Sequence, residues 1–118
     1  MPHEDRNALP IWDARALTHA VGDNPAIHKR LLARYLTSAR TSAQAVAEAA
    51  AQQNWQAASD AAHRLKSASR AVGAMRLGLV CEALEHQGRS APAAGCAELA
   101  TAVAEEFAQA VQHIEAAL

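Results

Sequence analysis

Apolar residues recur every three or four positions over two long stretches of this chain, and that spacing predicts helices. In the first stretch these positions are Ile27, Leu31, Tyr35, Leu36, Ala39, Ala43, Val46 and Ala50. In the second stretch they are Leu99, Val103, Phe107, Val111, Ile114 and Leu118. Residues at this spacing lie along one face of an α-helix, so each stretch offers one continuous apolar stripe to a core.

Residues that favour helix termini predict where the first two helices begin and end. Asp13 is suited to cap a short first helix that runs to about Val21, because its side chain can accept a hydrogen bond from a free backbone amide. Asn24 is suited to cap a second, long helix that runs to about Gln53. Pro25 would stand at the first position of that helix, where the amide hydrogen that proline lacks has no intrahelical acceptor.

Two further helices are predicted in the middle of the chain. The third spans residues 55–72, with Asn54 as its cap and Gly73 as its end, since glycine readily adopts the left-handed conformation that follows a helix. The fourth spans about residues 74–87, and Gly88 is expected to stop it.

A turn is predicted at residues 90–92, Ser-Ala-Pro, and a fifth helix follows it to the last residue. Residues 1–12 show no helical period and are interpreted as an N-terminal leader that docks through Ile11 and Trp12, while residues 13–118 form one helical domain. Five predicted helices give an all-α fold, and short loops join successive helices. The expected architecture is an antiparallel up-and-down four-helix bundle with a short extra N-terminal helix.

The composition agrees with a helical fold and excludes several classes of function. Much of the 51% apolar share is alanine, the best helix former, whereas aromatic residues, which favour strands, make up only 3%. A net charge of -1 provides no basic field for nucleic acid or for an anionic membrane. No apolar run approaches the ~20 residues that span a bilayer, and the polar first six residues show no signal-peptide pattern.

The cysteines and histidines give no sign of a metal site. Cys81 and Cys96 lack the spacing of a metal site or a disulfide framework, so a reducing, cytoplasmic setting is expected. The histidines at positions 19, 28, 86 and 113 form no i,i+4 pair with one another or with cysteine, so no metal is expected. We expect a monomer that binds no cofactor of its own.

One face of the third helix is polar and centres on a histidine. At 100° per residue, the polar residues within about 60° of His63 are Gln56, Ser59, Asp60, Lys66, Ser67 and Arg70. The opposite side carries Ala58, Ala61, Leu65, Ala68 and Val72, which are expected to face the core. His63 is therefore expected in the middle of a solvent-facing polar stripe.

This setting suits a group that accepts a phosphoryl group. Neutral imidazole is a good nucleophile near neutral pH. Lys66, three residues after His63, can supply a flexible positive charge to phosphoryl oxygens. Ser67, four residues after His63, is small enough to let a partner approach, and its hydroxyl can donate a hydrogen bond. Most histidines on a polar helix face are only solvated side chains, so this pattern alone assigns no function.

The contiguous sequence around His63 is more specific. Residues 63–74, His-Arg-Leu-Lys-Ser-Ala-Ser-Arg-Ala-Val-Gly-Ala, resemble the signature of the histidine-phosphotransfer (HPt) family, written HxLKG or HxLKS and followed by a VGA-like turn. The similarity to the family's RLxxLCxxLE helix continues through Arg76, Leu77, Val80, Cys81, Leu84 and Glu85. Ahead of the motif, residues 9–13 and 22–25 resemble the family's usual entry and first turn.

The resemblance implies a four-helix bundle whose exposed histidine carries phosphoryl groups between response-regulator receiver domains. It implies His63 as the phospho-acceptor, Lys66 as the lysine beside it and, on weaker similarity, Arg89 as a basic residue near the site. Ser67 stands where many members have glycine, and Glu85 stands where some members have a glutamine that hydrogen-bonds the site, so the resemblance does not support that contact here.

The polar stripe and the resemblance together yield the expected site and partners. The residues expected to contact the phosphoryl group or the partner are Ser59, Ser67, Arg70 and Arg89. The sequence has no nucleotide-binding motif and no acidic Mg²⁺ cluster, so Mg²⁺ is expected in the partner receiver domain. The chain is then a phosphocarrier without autonomous kinase activity.

Two other functions are consistent with the residues. One is an HPt-like interaction module that binds a partner without phosphotransfer, although the His63–Lys66 pair argues against it. The other is a His-dependent phosphatase, which lacks support because no second acid or arginine clamp accompanies His63 in the sequence. The chain is compatible with a free-standing protein and with the C-terminal domain of a hybrid sensor kinase.

Overall fold

Five α-helices follow a short 3₁₀ turn in the computed structural model, which describes residues 6–91 and 94–118. The turn is Arg6–Ala8, and the helices are α1 (Arg15–Val21), α2 (Pro25–Ala51), α3 (Trp55–Val72), α4 (Met75–Ser90) and α5 (Cys96–Ala117). No strand occurs in these residues, which confirms the all-α fold class. The first five residues of the predicted leader and Pro92 of the predicted turn lie outside the described residues.

The caps of α2 and α3 are those that the sequence predicts. The Asn24 side chain accepts hydrogen bonds from the first backbone amides of α2, with Pro25 at the first helical position. The Asn54 side chain accepts one from the Ala57 amide in the first turn of α3. Gly73 ends α3 at φ 98°, a left-handed conformation that costs glycine no steric clash.

Two predicted helix ends are wrong. The first helix begins at Arg15, one residue later than expected, and its N-cap residue is Ala14. Asp13 accepts a hydrogen bond from the Arg15 amide instead, and its own amide donates to the Gly73 carbonyl. Gly88 does not stop the fourth helix, which continues through Ser90 into the predicted turn.

The four long helices enclose the core. Each of α2, α3 and α4 packs against the next helix in the chain, and α5 also packs against α2, so the ring of contacts is closed. The largest fully buried apolar side chains are Leu65, Leu77, Leu84, Ile114, Val46 and Val103. Burial raises the pKa of the Cys81 thiol to about 12, so this cysteine stays protonated and packs as a small apolar side chain. Ile27 and Leu118, at the outer ends of the two predicted stripes, are exposed.

The end of the predicted leader is bonded to the junction between α3 and α4. The Trp12 indole packs against the core and donates to the Val72 carbonyl at 2.9 Å. The Arg76 amide donates to the Pro10 carbonyl, and the Arg76 guanidinium donates to the Leu9 carbonyl at 2.6 Å. This end of the bundle is ten residues along α3 from His63.

Candidate functional site

His63 lies midway along α3 with its side chain 54% exposed. The helix positions it so because Ala61 and Leu65, on the opposite side of α3, are completely buried in the core. The imidazole does not stand free in solvent, since its Nδ1 atom lies 2.7 Å from Oε2 of Glu85 on α4. The prediction that His63 is solvent-facing is confirmed, and one of its two nitrogen atoms is engaged within the protein.

Glu85 is the centre of the polar network around His63. Only 8% of this residue is exposed. Its Oε1 atom accepts a hydrogen bond from Lys66 Nζ at 2.7 Å, and its Oε2 atom accepts one from Arg89 Nη1 at 3.0 Å in addition to the contact with His63. A buried carboxylate normally requires such partners, and here two helices supply them.

The surroundings of Glu85 keep its carboxyl group ionised. Burial alone would raise the pKa of this group, but the hydrogen bonds from Lys66 and His63 outweigh burial and hold the pKa of Glu85 below its usual value of 4.5. An ionised carboxylate can only accept hydrogen bonds. Nδ1 of His63 must therefore carry the proton in this contact.

That proton placement decides which nitrogen of His63 is reactive. In a neutral imidazole with its proton on Nδ1, the lone pair available for attack is on Nε2. Within residues 6–91 and 94–118, Nε2 has no hydrogen-bond partner. The arrangement thus presents a nucleophilic nitrogen to solvent from a fixed ring.

Arg89 extends the network from α4 back to α3. Its Nη2 atom lies 3.5 Å from Oδ1 of Asp60, while its Nη1 atom donates to Glu85. Asp60 also accepts a hydrogen bond from the Gln56 side chain at 3.1 Å. The guanidinium is half exposed, so it can exchange one anionic partner for another at little cost. Arg89 lies near His63, as predicted, because both side chains contact the Glu85 carboxylate.

Lys66 and Arg89 also line an open pocket beside His63. The pocket has a volume of about 350 Å³, and its other lining residues are Glu82, Glu85, His86 and Ser90. Solvent therefore reaches both cations on the side of α4.

Ser59 is not on the solvent-facing side, and this prediction is wrong. The residue is 0% exposed and lies beneath Gly88 of α4, so a docked partner cannot reach it. The helical wheel gives the direction of Ser59 from the axis of α3, but it does not show that α4 covers that direction. Gly88 allows this coverage because it has no side chain.

Ser67 and Arg70 are exposed on α3, and both have partners within the protein. The Ser67 hydroxyl donates to the His63 carbonyl at 3.2 Å. The Arg70 guanidinium donates to Glu82 at 3.3 Å. Ser67 is small and leaves the imidazole accessible. Arg70 lies on the charged surface one turn beyond Lys66. Their contact with a phosphoryl group or a partner stays a prediction.

The sequence reasoning missed Glu85 as a functional residue. The resemblance did not support a contact from position 85 to the site, whereas the carboxylate bonds to both His63 and Lys66. A signal was present in the sequence: Gly78, Cys81, Glu85 and Gly88 follow the three- and four-residue spacing of a buried stripe. A charged residue in such a stripe needs a cation opposite, and α3 offers one.

Comparison with known proteins agrees with the geometry. A family model described as "Hpt domain" matches residues 30–117. The chain belongs to the Hpt domain family. No curated protein and no solved structure matches it. Membership of the Hpt family implies histidine phosphotransfer in a two-component phosphorelay, and Hpt domains interact with the receiver domains of response regulators.

The matched range contains the whole polar network around His63. It includes α3, α4 and α5 and most of α2, whereas the leader and α1 precede it. Among the described residues of this Hpt domain, no helix has the length and apolar character needed to cross a membrane.

Proposed function

We propose that the chain accepts a phosphoryl group on Nε2 of His63 from the aspartyl phosphate of one receiver domain and passes it to the aspartate of a second receiver. The observation that carries this proposal is the 2.7 Å contact between Nδ1 of His63 and Glu85. This contact supports a single proton location, and among the described residues no hydrogen-bond donor engages the Nε2 lone pair.

The transfer exchanges one phosphorus bond for another. The Nε2 lone pair forms a P–N bond while the P–O bond to the aspartate breaks, and the aspartate leaves as a carboxylate with that electron pair. The ring keeps its Nδ1 proton and gains positive charge, which faces the ionised Glu85 carboxylate. Glu85 therefore stabilises the phosphorylated ring by charge as well as by orientation. The second transfer is the reverse of the first.

Two cations are available for the phosphoryl oxygens. Lys66 and Arg89 both bond to Glu85 before phosphorylation, and both line the open pocket beside His63. A dianionic phosphoryl group on His63 would compete with Glu85 for these cations without requiring movement of the backbone. The Mg²⁺ ion of the receiver would neutralise charge on the donor side.

The receiver is expected to dock on the face of α3 that carries His63, together with the neighbouring surface of α2. Short connections between the four long helices support the antiparallel, up-and-down order that the sequence predicts. Such an exchange of partners favours a small, transient interface. A cytoplasmic location, a monomeric state and a hybrid sensor kinase that carries this domain stay predictions.

The test is transfer of labelled phosphate from a phosphorylated receiver. The wild type is expected to acquire acid-labile, alkali-stable label, and the His63→Gln variant to acquire none. His86→Gln is the matched control, because His86 is an exposed histidine beside the same pocket. It is expected to be labelled like the wild type.

Four outcomes would contradict the proposal. Absence of label on the wild type, or label on His63→Gln, would exclude His63 as the carrier. A receiver that binds equally to wild type and His63→Gln without any transfer would favour an interaction module instead. Rapid loss of phosphate from the purified, labelled chain alone would favour a phosphatase.

A further inference from the structure

We propose that Gly88, packed on Ser59, is a positioning residue for His63: this contact sets the separation of α3 and α4 at which the Glu85 carboxylate reaches Nδ1. The consequence for phosphotransfer rests on the proposed function above. The consequence for the His63 imidazole itself does not, and it can be measured without any receiver.

The contact between Gly88 and α3 leaves no room for a side chain. A Cβ atom on Gly88 would overlap the Ser59 hydroxyl oxygen and would lie 3.0 Å from the Trp55 carbonyl oxygen. Ser59 is 0% exposed, and its hydroxyl has no hydrogen-bond partner among the described residues. Backbone and a buried side chain cannot move aside as an exposed side chain can, so a larger residue at position 88 must push the helices apart.

Glycine at this place runs against local helix preference. Gly88 lies inside α4, where glycine costs about 1 kcal/mol relative to alanine. The close approach to α3 is the structural reason for glycine at position 88. A Cα–H group of glycine can also contact the Ser59 oxygen, a weak interaction common where helices pack closely.

The contact lies one helical turn from the His63–Glu85 hydrogen bond. Ser59 precedes His63 by four residues on α3, and Gly88 follows Glu85 by three residues on α4. A change in helix separation at the contact is therefore transmitted to the hydrogen bond with little attenuation. A hydrogen bond of 2.7 Å weakens quickly once the atoms are more than about 3.2 Å apart.

The partners of Glu85 determine which bond is lost when the helices separate. Arg89 lies on the same helix as Glu85, four residues away, and moves with it. His63 and Lys66 lie on α3 and move away together. The carboxylate keeps Arg89 as its charge partner on α4, while its contacts with His63 and Lys66 lengthen together.

A second glycine on α4 provides a matched control. A Cβ atom on Gly78 would lie 2.8 Å from Cγ of Arg70. The Arg70 side chain is flexible and exposed, so it can move aside without displacing a helix. Gly78→Ala and Gly88→Ala thus make the same chemical change on one helix, but only Gly88→Ala presses on a buried contact.

The experiment measures the tautomer of His63 by ¹⁵N NMR in the unphosphorylated chain at a pH above 7. The wild type and Gly78→Ala are expected to show Nδ1–H as the dominant form. Gly88→Ala is expected to show the mixed tautomers of a free imidazole, and its phosphotransfer rate is expected to fall about tenfold, as for the loss of one charge-assisted hydrogen bond. Gly88→Ala combined with Ser59→Ala, which removes the overlapping oxygen, is expected to recover most of the Nδ1–H form.

The outcomes separate the two proposals. A folded Gly88→Ala with wild-type tautomers would overturn the positioning role, and so would an equal loss in Gly78→Ala. If Gly88→Ala does not fold, the double variant decides: folding with Nδ1–H restored supports the role, and failure to restore Nδ1–H overturns it. If the tautomers change as expected but the wild type accepts no phosphate, only the proposed function fails.

Discussion

The two ends of α4 each carry an arginine that bonds to another part of the chain, but the acceptors differ in kind. At the start of the helix, Arg76 is half-buried and donates to the backbone carbonyls of Leu9 and Asn7. At the far end, Arg89 is half exposed and donates to the Glu85 carboxylate, with Asp60 close by.

The two kinds of acceptor give the two arginines different functions: Arg76 has a structural function, and Arg89 can exchange its partners. Backbone carbonyls are fixed by the fold, and a partner protein cannot replace them. The carboxylate partners of a half-exposed arginine compete directly with any other anion, including a phosphoryl group. One end of α4 therefore stabilises the bundle, and the other end carries an arginine that can change its anionic partner. Four measurements test whether the two ends of α4 differ in this way.

The largest effect is expected at the structural end. Arg76→Ala removes two hydrogen bonds from the leader, so we expect the free energy of unfolding to fall by about 2 kcal/mol in urea denaturation. Phosphotransfer by the folded variant should stay within about twofold of wild type, because Arg76 lies nine residues along α4 from Glu85, the residue that contacts His63. If the transfer rate of the folded variant falls well beyond twofold, the two ends of α4 do not act separately.

The next effect is expected at Glu85. Glu85→Ala removes the acceptor of Nδ1, so the rate of phosphoryl acceptance is expected to fall about tenfold, equivalent to about 1.4 kcal/mol. Glu85→Gln is the control, since an amide oxygen can still accept from Nδ1, and it should stay within about threefold of wild type. Equal rates in all three chains would show that Glu85 does not act on His63.

A smaller effect is expected from Arg89. Because this ion pair is half exposed, Arg89→Ala should change the free energy of unfolding by less than about 1 kcal/mol. The phosphotransfer rate is expected to fall about threefold through loss of one cation near the phosphoryl oxygens, and more salt should reduce the difference. A stability loss as large as that of Arg76→Ala would contradict the comparison.

The smallest effect is on stability in acid. The folded chain holds the pKa of Glu85 below its usual value of 4.5, so the unfolded chain binds more protons near that pH. Glu85 therefore contributes stability above about pH 4.5, and this contribution is lost as the pH falls through the lower, folded-state pKa. Unfolding curves of wild type and Glu85→Gln should converge over this range. A constant difference at all pH values would show that the Glu85 charge is not the cause.

Local signals predicted most of the fold. Asn24, Asn54 and Gly73 act within one turn of themselves, so the sequence alone locates the ends that they set. Gly88 was misjudged because its effect on α4 depends on another helix: the cost of glycine is outweighed by close packing on Ser59.

The sequence predicted the part of the site that lies on a single helix. His63 and Lys66 lie on α3, and the wheel places them together. Glu85 is 22 residues from His63 on another helix, and only the packing of α3 on α4 brings the two together. The wheel also left Ser59 on the polar face, because it contains no neighbouring helix.

The bonding of the leader has a mechanical consequence. A pulling force applied on the N-terminal side of Arg6 would not peel α1 away first. It would load the ion pairs of Arg6 with α5 and then the bonds of residues 9–13 to the α3–α4 junction. The path of this load reaches α3 at Gly73, about 15 Å along the helix from His63. A tether at the N-terminal side would therefore hold the bundle by one end and leave the imidazole free of tension.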